Sequence, residues 1–333
     1  MIDIYLTTMD GEFLKIDDVR KGCWINLINP TEQEIRQVVD LTGIPYDFIK
    51  DPLDDDERSR IEKEGEYVLT IVDIPILVHD EQESALYDTI PLGIIATDRY
   101  FVTVCLEDNP IIRQFAKNRV KNFFTFKKTR FTLQILYVMA TYYLKYLRQI
   151  DRRTNEIERE LHQSMKNKEL FSLLSLEKTL VYFMTSLKAN NVVMEKMLKL
   201  NYYKMYEDDQ DLLDDVIIET KQAIEMAEVY SNILNGLMDT FASVISNNVN
   251  IVMKFLTAVT IVLALPTMVA SFYGMNVKIP GEDSPHAYLI PLLLSATLSI
   301  VTMVIFWKKN IFERPGTMDG FSGARRGFFG SIL

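Results

Sequence analysis

Hydrophobic positions are spread unevenly along this chain, which has a mixed portion followed by two uncharged apolar segments. No charged residue lies between Phe255 and Val277, and none lies within residues 287–307. At about 1.5 Å per helical residue, each segment is long enough to cross a bilayer core of roughly 30 Å. The pattern predicts membrane-spanning helices over residues 255–273 and 287–307.

The hydroxyl residues of the first apolar segment share one face. All four Ser and Thr residues between Phe255 and Tyr273 recur at alternating steps of three and four residues. The seam that they define contains Ser271, Thr267, Ala264, Thr260, Thr257, Met253 and Asn250. A repeat of 3.5 residues predicts a helix that coils left-handedly around copies of itself.

Two interpretations of this seam remain open. Small and hydroxyl residues mediate ordinary helix contacts in lipid, because they let backbones approach closely. In the other interpretation the same residues line a pore. The polar continuation of the seam as far as Asp239, and the Gly274-Met275-Asn276 sequence at its other end, favour the pore.

Residues 1–108 contain β-branched and aromatic stretches between turn residues, which predicts an α/β domain. The predicted strands cover residues 2–6, 23–27, 66–77, 89–97 and 100–105. A helix is expected to begin with Asn29 as N-cap and Pro30 at its first position, and to stop at Gly43. The acidic stretch 51–57 is predicted to be a solvated loop, although clustered carboxylates also suit a hard divalent cation.

From Ile111 to Asn235 the chain contains neither Gly nor Pro, which favours long uninterrupted helices. Helices are predicted over residues 109–121, 128–165, 168–203 and from Glu207 onward. The predicted organisation is an α/β domain (1–108), long antiparallel helices (109–206), a stalk helix (207–254), a first span (255–273), an outer loop (274–286), a second span (287–307) and a basic tail (308–333).

Composition excludes several classes of function. With 36 Lys and Arg against 46 Asp and Glu, the net charge of -10 argues against nucleic acid as a partner and suits a protein that handles cations. Cys23 and Cys105 are too far apart for a disulfide framework or a metal motif, and the isolated His79, His162 and His286 do not form a zinc site. No phosphate-binding glycine loop or nucleophile elbow is present, so the protein is predicted not to be an enzyme.

The charges that flank the apolar segments predict their orientation. The second segment is followed by Lys308, Lys309, Arg314, Arg325 and Arg326, whereas the connector between the segments carries Glu282 and Asp283 against one Lys. Basic residues mark the cytoplasmic side of a membrane. The first residues also lack the basic start and apolar core of a signal peptide. We therefore predict a protein of the plasma membrane with both termini in the cytoplasm.

This arrangement resembles the CorA family of magnesium transporters. The resemblance rests on Tyr273-Gly274-Met275-Asn276 at the end of the first of two spans, a short acidic connector, and a second span followed by basic residues. It extends over the whole chain in architecture and is strongest over residues 215–309. It implies an α+β fold with a cytoplasmic α/β domain, and a homopentamer in membrane lipid whose first spans line one central pore.

The resemblance implies that Gly274, Met275 and Asn276 form a selectivity filter at the outer mouth. Because Mg²⁺ gives up its waters reluctantly, a ring of Asn276 oxygens would hold the ion through its hydration shell. Gly274 is expected to end the helix in a left-handed conformation that exposes the last carbonyls to the cation. Glu282 and Asp283 would raise the local cation concentration.

Other roles also follow from the resemblance. The pore-lining positions that it implies are Asn250, Met253, Leu256, Thr260, Ala264, Thr267 and Ser271. Leu256 matches a hydrophobic constriction, and Ala264 stands where some members carry a larger side chain. Asp51 and Asp215 are expected to share regulatory Mg²⁺ between neighbouring subunits, with Asp239 in a ring at the inner entrance. Loss of these ions would open the channel.

We therefore expect uptake of Mg²⁺, and of Co²⁺ or Ni²⁺, through a channel gated by cytoplasmic Mg²⁺. One alternative is a Zn²⁺ transporter of the same superfamily, which the intact Met275 disfavours. Another is a sensor or scaffold whose spans only anchor an α/β domain. The channel requires Asn276, whereas the scaffold does not.

Overall fold

The computed structural model describes residues 1–79, 85–163, 167–276, 286 and 288–309. Within it the chain divides into two compact units between Met238 and Asp239. Glu282, Asp283, Arg314, Arg325 and Arg326 lie outside the described residues, as do the side chains of His79 and His162.

The first unit contains seven strands: β1 (Ile2–Thr7), β2 (Phe13–Ile16), β3 (Trp24–Ile28), β4 (Arg60–Glu64), β5 (Tyr67–His79), β6 (Ala85–Ala96) and β7 (Phe101–Cys105). They form one mixed sheet in the order β2-β1-β3-β7-β6-β5-β4. Only β3 and β7 pair in parallel in the described sheet, with Ile25 opposite Val102. Both of these central strands are almost entirely buried, which is typical of strands covered on both faces.

The helices are α1 (Glu32–Thr42), α2 (Tyr46–Lys50), α3 (Pro110–Ala116), α4 (Lys128–Gln163), α5 (Asn167–Leu200), α6 (Glu207–Tyr273) and α7 (Leu289–Lys308). A short 3-10 turn, Asp51–Leu53, follows α2. Three of the described helices, α5, α6 and α7, are long and apolar enough to cross a membrane by length and composition. The structure places α5 against β5 and β6 in the first unit, so its buried apolar residues, such as Leu180 and Phe183, belong to the core of that unit.

Cores form on both faces of the sheet. On one face Ile35 and Val38 of α1, with Phe48 and Ile49 of α2, join the buried residues of the central strands. On the other face the ring of Phe131, from α4, stacks on Phe101 with centroids 4.1 Å apart. The sheet is therefore covered on both faces, and the prediction of an α/β domain is confirmed.

The start of α1 differs from the prediction. Thr31, and not Asn29, is the N-cap, and its side chain accepts a hydrogen bond from the Glu34 N–H while Glu34 accepts one from the Thr31 N–H at 2.7 Å. This reciprocal capping box fixes the helix start two residues later than expected. The predicted stop is confirmed, because Gly43 has φ 72°, the left-handed conformation that favours glycine.

Two strands were missed by the sequence pattern. β2 is a short strand beside β1. The predicted strand 66–77 is preceded by β4, which pairs antiparallel with β5, so that Glu64 lies opposite Tyr67 and Arg60 lies opposite Ile71. β4 reads Arg-Ile-Glu-Lys-Glu and has no buried residue. An edge strand of this kind shows no apolar alternation, so only its pairing identifies it.

A buried asparagine forms hydrogen bonds with the backbone of β5 beyond the end of its pairing with β4. Asn190 of α5 is 0% exposed, and its amide donates to the Asp73 carbonyl at 2.7 Å and accepts from the Asp73 N–H at 2.9 Å. Ser59 donates to the same amide oxygen at 3.0 Å, and the Tyr143 hydroxyl donates to the Asp73 carbonyl at 2.9 Å. The side chain of Asn190 thus replaces a neighbouring strand for β5 and fixes α5 on the sheet.

Candidate functional site

The predicted seam lies in the second unit, on the part of α6 that runs to Tyr273. Asn250, Met253, Leu256, Thr260, Ala264, Thr267 and Ser271 are all exposed within this single chain. The face of α6 that α7 covers is different: Ala258 is 2% exposed and Val269 is 4% exposed. At about 100° per residue, the mean directions of these two faces differ by roughly 160°. Within the protomer, therefore, the buried side of α6 lies away from most of the seam, although Phe306 of α7 lines a cavity together with the seam residues Asn250, Met253 and Thr257.

Pro266 explains one contact between the two helices. Proline has no N–H, so the carbonyl of Val262, four residues earlier, loses its usual helical donor. The Ser299 hydroxyl of α7 donates to that carbonyl at 3.5 Å. In an apolar environment an unpaired carbonyl is costly, and a hydroxyl from a neighbouring helix is a common remedy. This contact supports the antiparallel pairing of α6 with α7.

The hydroxyl groups of the seam all use their protons within α6. Thr257 and Thr260 donate to carbonyls four residues earlier at 2.8 Å, and so does Ser271; Thr267 does so at 3.1 Å. A hydroxyl whose only proton is committed in this way presents oxygen lone pairs to its surroundings. The seam therefore offers acceptors for cations or for the hydrogens of their water shells.

The end of α6 carries the predicted filter residues. The Gly274 N–H donates to the Ala270 carbonyl at 2.9 Å, and the Met275 N–H donates to the Phe272 carbonyl at 3.4 Å. The expected left-handed conformation of Gly274 is wrong, since its φ lies outside the left-handed region. The helix instead ends in a turn that continues its own hydrogen bonding. A Cβ at Gly274 would lie 3.3 Å from the Ala270 carbonyl oxygen, so this position has little space for a side chain.

Met275 and Asn276, which follow Gly274, are exposed. The side chain of Asn276 therefore remains accessible in the protomer.

The predicted regulatory carboxylates have different surroundings. Asp51 lies at the start of the 3-10 turn, and its Oδ2 is 2.6 Å from Nη2 of Arg60. Asp215 and Asp239 are exposed on α6, one in each unit. The described residues include no group of three or more His, Cys, Asp or Glu arranged to hold a metal ion.

Arg60 was not identified by sequence reasoning. Its guanidinium contacts Glu57, and its Nε lies 3.3 Å from Glu62, in addition to the contact with Asp51. Burial lowers the pKa of Arg60, but the hydrogen bonds to Asp51 and Glu62 and the charge of Glu57 outweigh it and raise the pKa. Arg60 stays charged and balances part of the negative charge of the acidic stretch, through Asp51 and Glu57, a role that no local sequence pattern signals.

Comparison with known proteins places the chain in a family. The cobalt/magnesium transport protein CorA of Methanocaldococcus jannaschii is 26% identical over 323 residues, covering 92% of this chain and 98% of that protein. The complete structure of a CorA magnesium transporter from the same organism has a TM-score of 0.80 at 24% identity and covers 92% of this chain and 97% of that one.

A more distant structural neighbour is the ZntB cytoplasmic domain from Vibrio parahaemolyticus. It has a TM-score of 0.57 at 12% identity and covers 74% of this chain and 97% of that domain. This likeness concerns the fold alone. The family described as CorA-like Mg²⁺ transporter protein matches residues 20–309, most of the chain. The chain therefore belongs to the CorA-like Mg²⁺ transporter family.

Proposed function

We propose that five copies of this chain form a channel that takes up Mg²⁺ across the plasma membrane, with Co²⁺ and Ni²⁺ as further substrates. One observation carries the proposal. The hydroxyl seam of α6 is exposed and points away from the buried Ala258 and Val269, so each copy can present most of the seam to a shared axis. The family match, and relatives named as cobalt and magnesium transport proteins, support the choice of ion.

The proposed topology has two spans, the apolar part of α6 and α7. α7 has a mean hydropathy of 2.4 in its most apolar window, and its large side chains are exposed in the single chain, as lipid contact requires. Lys308 and Lys309 follow it directly, which favours a cytoplasmic end. Both termini and the whole first unit then lie in the cytoplasm.

In the proposed conduction path, Asn276 meets the hydrated ion first. Five amide oxygens in a ring can accept hydrogen bonds from the water shell of Mg²⁺ without stripping it. Below the ring, the lone pairs of Thr267 and Thr260 continue the same kind of contact. Leu256 supplies an apolar constriction in which loss of water closes the path. The membrane potential drives entry, at about 2.3 kcal/mol per elementary charge per 100 mV.

For regulation we propose that Asp51 of one subunit and Asp215 of its neighbour share Mg²⁺, with Asp239 in a ring at the inner entrance. Bound ions hold the subunits in a closed arrangement, and their loss at low cytoplasmic Mg²⁺ opens the channel. In a single chain Asp51 is paired with Arg60. A bound ion must therefore compete with that guanidinium.

The test is ion uptake into vesicles that contain the purified protein, comparing Mg²⁺, Co²⁺ and Zn²⁺. We expect uptake of Mg²⁺ that Asn276→Ala abolishes while the pentamer persists in size-exclusion chromatography with light scattering. Asn235→Ala, an exposed asparagine on α6 in the first unit, is the matched control and should transport normally.

Each alternative function has its own outcome in this assay. Normal uptake by Asn276→Ala, or a parent protein that is monomeric in the membrane, contradicts the proposed pore. Preference for Zn²⁺ over Mg²⁺ would indicate the zinc transporter. A wild-type protein that carries no divalent cation at all would indicate the sensor or scaffold.

A further inference from the structure

A cavity of about 890 Å³ lies in the first unit, beside the first turns of α4 and α6. Two hydrogen bonds hold these turns together: Thr129 donates to the Lys204 carbonyl at 3.1 Å, and Arg130 donates to the Asp208 carbonyl at 2.7 Å. The volume of the cavity lies within the usual range for small-molecule sites, roughly 300–1,000 Å³. The ion path proposed above uses none of its lining residues.

The lining of the cavity is basic, although the protein as a whole is acidic. Its charged side chains are Lys127, Lys128, Arg130, Lys204, Asp208 and Asp209. Four basic groups against two acidic ones give a local charge of +2, whereas the whole chain carries -10. A cavity of this sign repels metal cations and attracts anions.

Two of the basic groups have no carboxylate partner in the described residues, although the Lys127 ammonium lies 4.8 Å from the centroid of the Phe124 ring. The Lys128 ammonium donates to the Thr97 carbonyl, and Arg130 lies 3.4 Å from the nearly buried Asp209 carboxylate. Lys127 and Lys204 are both exposed, and neither forms an ion pair within the part of the chain that the structure describes. Lys127 and Lys204 are therefore the cations available for a ligand.

Aromatic rings line the same cavity. Phe124 and Phe126 have ring centroids 5.4 Å apart, and Tyr206 is 69% exposed. Between the two phenylalanines, Thr125 is buried and exchanges hydrogen bonds with Thr7, at 2.9 Å and 3.2 Å. These two bonds hold the loop in place before any ligand arrives. One exposed ring and two half-buried rings beside ammonium groups without carboxylate partners match a ligand that carries a flat ring and a strong negative charge.

We propose that this cavity binds a nucleoside triphosphate, with the phosphates on Lys127 and Lys204 and the base stacked on Tyr206. The start of α4 supports the phosphate end, because the first N–H groups of a helix have no intrahelical acceptor and carry partial positive charge. The binding needs no catalytic step. It is also independent of whether the chain conducts ions.

The experiment is calorimetric titration of the full-length protein in detergent with ATP, tripolyphosphate and adenosine. EDTA is present throughout, so that chelation of Mg²⁺ by the phosphates does not contribute. ATP should bind more tightly than either tripolyphosphate or adenosine. Lys204→Gln and Lys127→Gln should each weaken ATP binding about tenfold, as expected for one charge-assisted hydrogen bond. Lys188→Gln, which removes an exposed lysine of α5, is the control and should bind ATP normally.

Tyr206→Ala tests the aromatic part. This ring is exposed, so its removal should leave the fold intact, weaken ATP at least about fivefold and leave tripolyphosphate unchanged. The proposal is overturned if ATP does not bind, or if the lysine variants bind it normally. Tripolyphosphate binding as tightly as ATP, with no effect of Tyr206→Ala, would also overturn it, because the site would then recognise phosphate alone.

Discussion

Replacing Arg60 by glutamine should tighten Mg²⁺ binding at Asp51. Nη2 of Arg60 lies 2.6 Å from Oδ2 of Asp51, and the two side chains are 29% and 31% exposed. The same guanidinium also contacts Glu57 and Glu62. If Asp51 is a ligand of regulatory Mg²⁺, the ion must bind a carboxylate that is already paired with the Arg60 guanidinium.

Mg²⁺ can bind Asp51 in two ways, and the one with the smaller free-energy cost sets the size of the expected change in affinity. If Mg²⁺ displaces the guanidinium, the ion pair between Arg60 and Asp51 is lost. An ion pair that is this exposed is worth about 0.2–1 kcal/mol. If it binds beside Arg60 at about 5 Å, repulsion between a double and a single charge costs about 1.7 kcal/mol in a water-like dielectric. Displacement costs less, so Arg60→Gln should strengthen Mg²⁺ binding by up to about fivefold.

The assay is the dependence of thermal unfolding on Mg²⁺ concentration, since a ligand that binds the folded state stabilises it by mass action. The midpoint should move to lower Mg²⁺ in Arg60→Gln, and in vesicles the channel should close at lower internal Mg²⁺. Arg153→Gln is the control, because Arg153 also pairs with exposed carboxylates, Glu156 and Glu160. An unchanged midpoint in Arg60→Gln, or a gain that persists when Asp51→Asn is added, would refute Asp51 as a ligand.

Other substitutions test individual contacts in each unit. Asn190→Leu leaves the Asp73 N–H without its partner and should lower the free energy of unfolding by about 2–3 kcal/mol, measured by thermal unfolding; an unchanged transition would contradict the role of this side chain. Burial raises the pKa of the Asp73 carboxyl above its ordinary value, and the neighbouring hydroxyls of Ser186 and Ser59 only partly oppose this effect. The folded state therefore favours the protonated acid, and this stability is lost as pH rises through the folded pKa. Asp73→Asn cannot ionise, so its melting temperature should rise relative to that of the parent as pH increases above about 4, and parallel pH profiles would contradict this reasoning. Ala264→Leu, on the exposed seam, should assemble normally and slow Mg²⁺ uptake in vesicles, whereas Ala258→Leu, packed against α7, should lower stability by about 1–3 kcal/mol; the reverse result would reverse the two faces.

The sequence alone was enough for features that depend on short stretches of chain. The end of α1 follows from Gly43, because only a residue without a Cβ adopts the left-handed conformation cheaply. The long helices follow from the absence of Gly and Pro, and the apolar segments follow from their length and lack of charge. The family resemblance rested on Tyr273-Gly274-Met275-Asn276 at the end of the first of two spans, with a short acidic connector and basic residues after the second span, all of which can be read along the sequence.

Only the tertiary structure decided which distant residues meet. The sequence placed the hydroxyl groups of α6 on one face, but only the structure showed that Ala258 and Val269 are buried while these hydroxyl groups stay exposed in the protomer. Likewise, Lys127 and Lys204 belong to one cavity although they lie far apart in the sequence. The physical reason is that hydrophobic periodicity reports how one element divides between apolar and polar surroundings. The identity of the neighbour depends on the whole packed arrangement, which local periodicity does not contain.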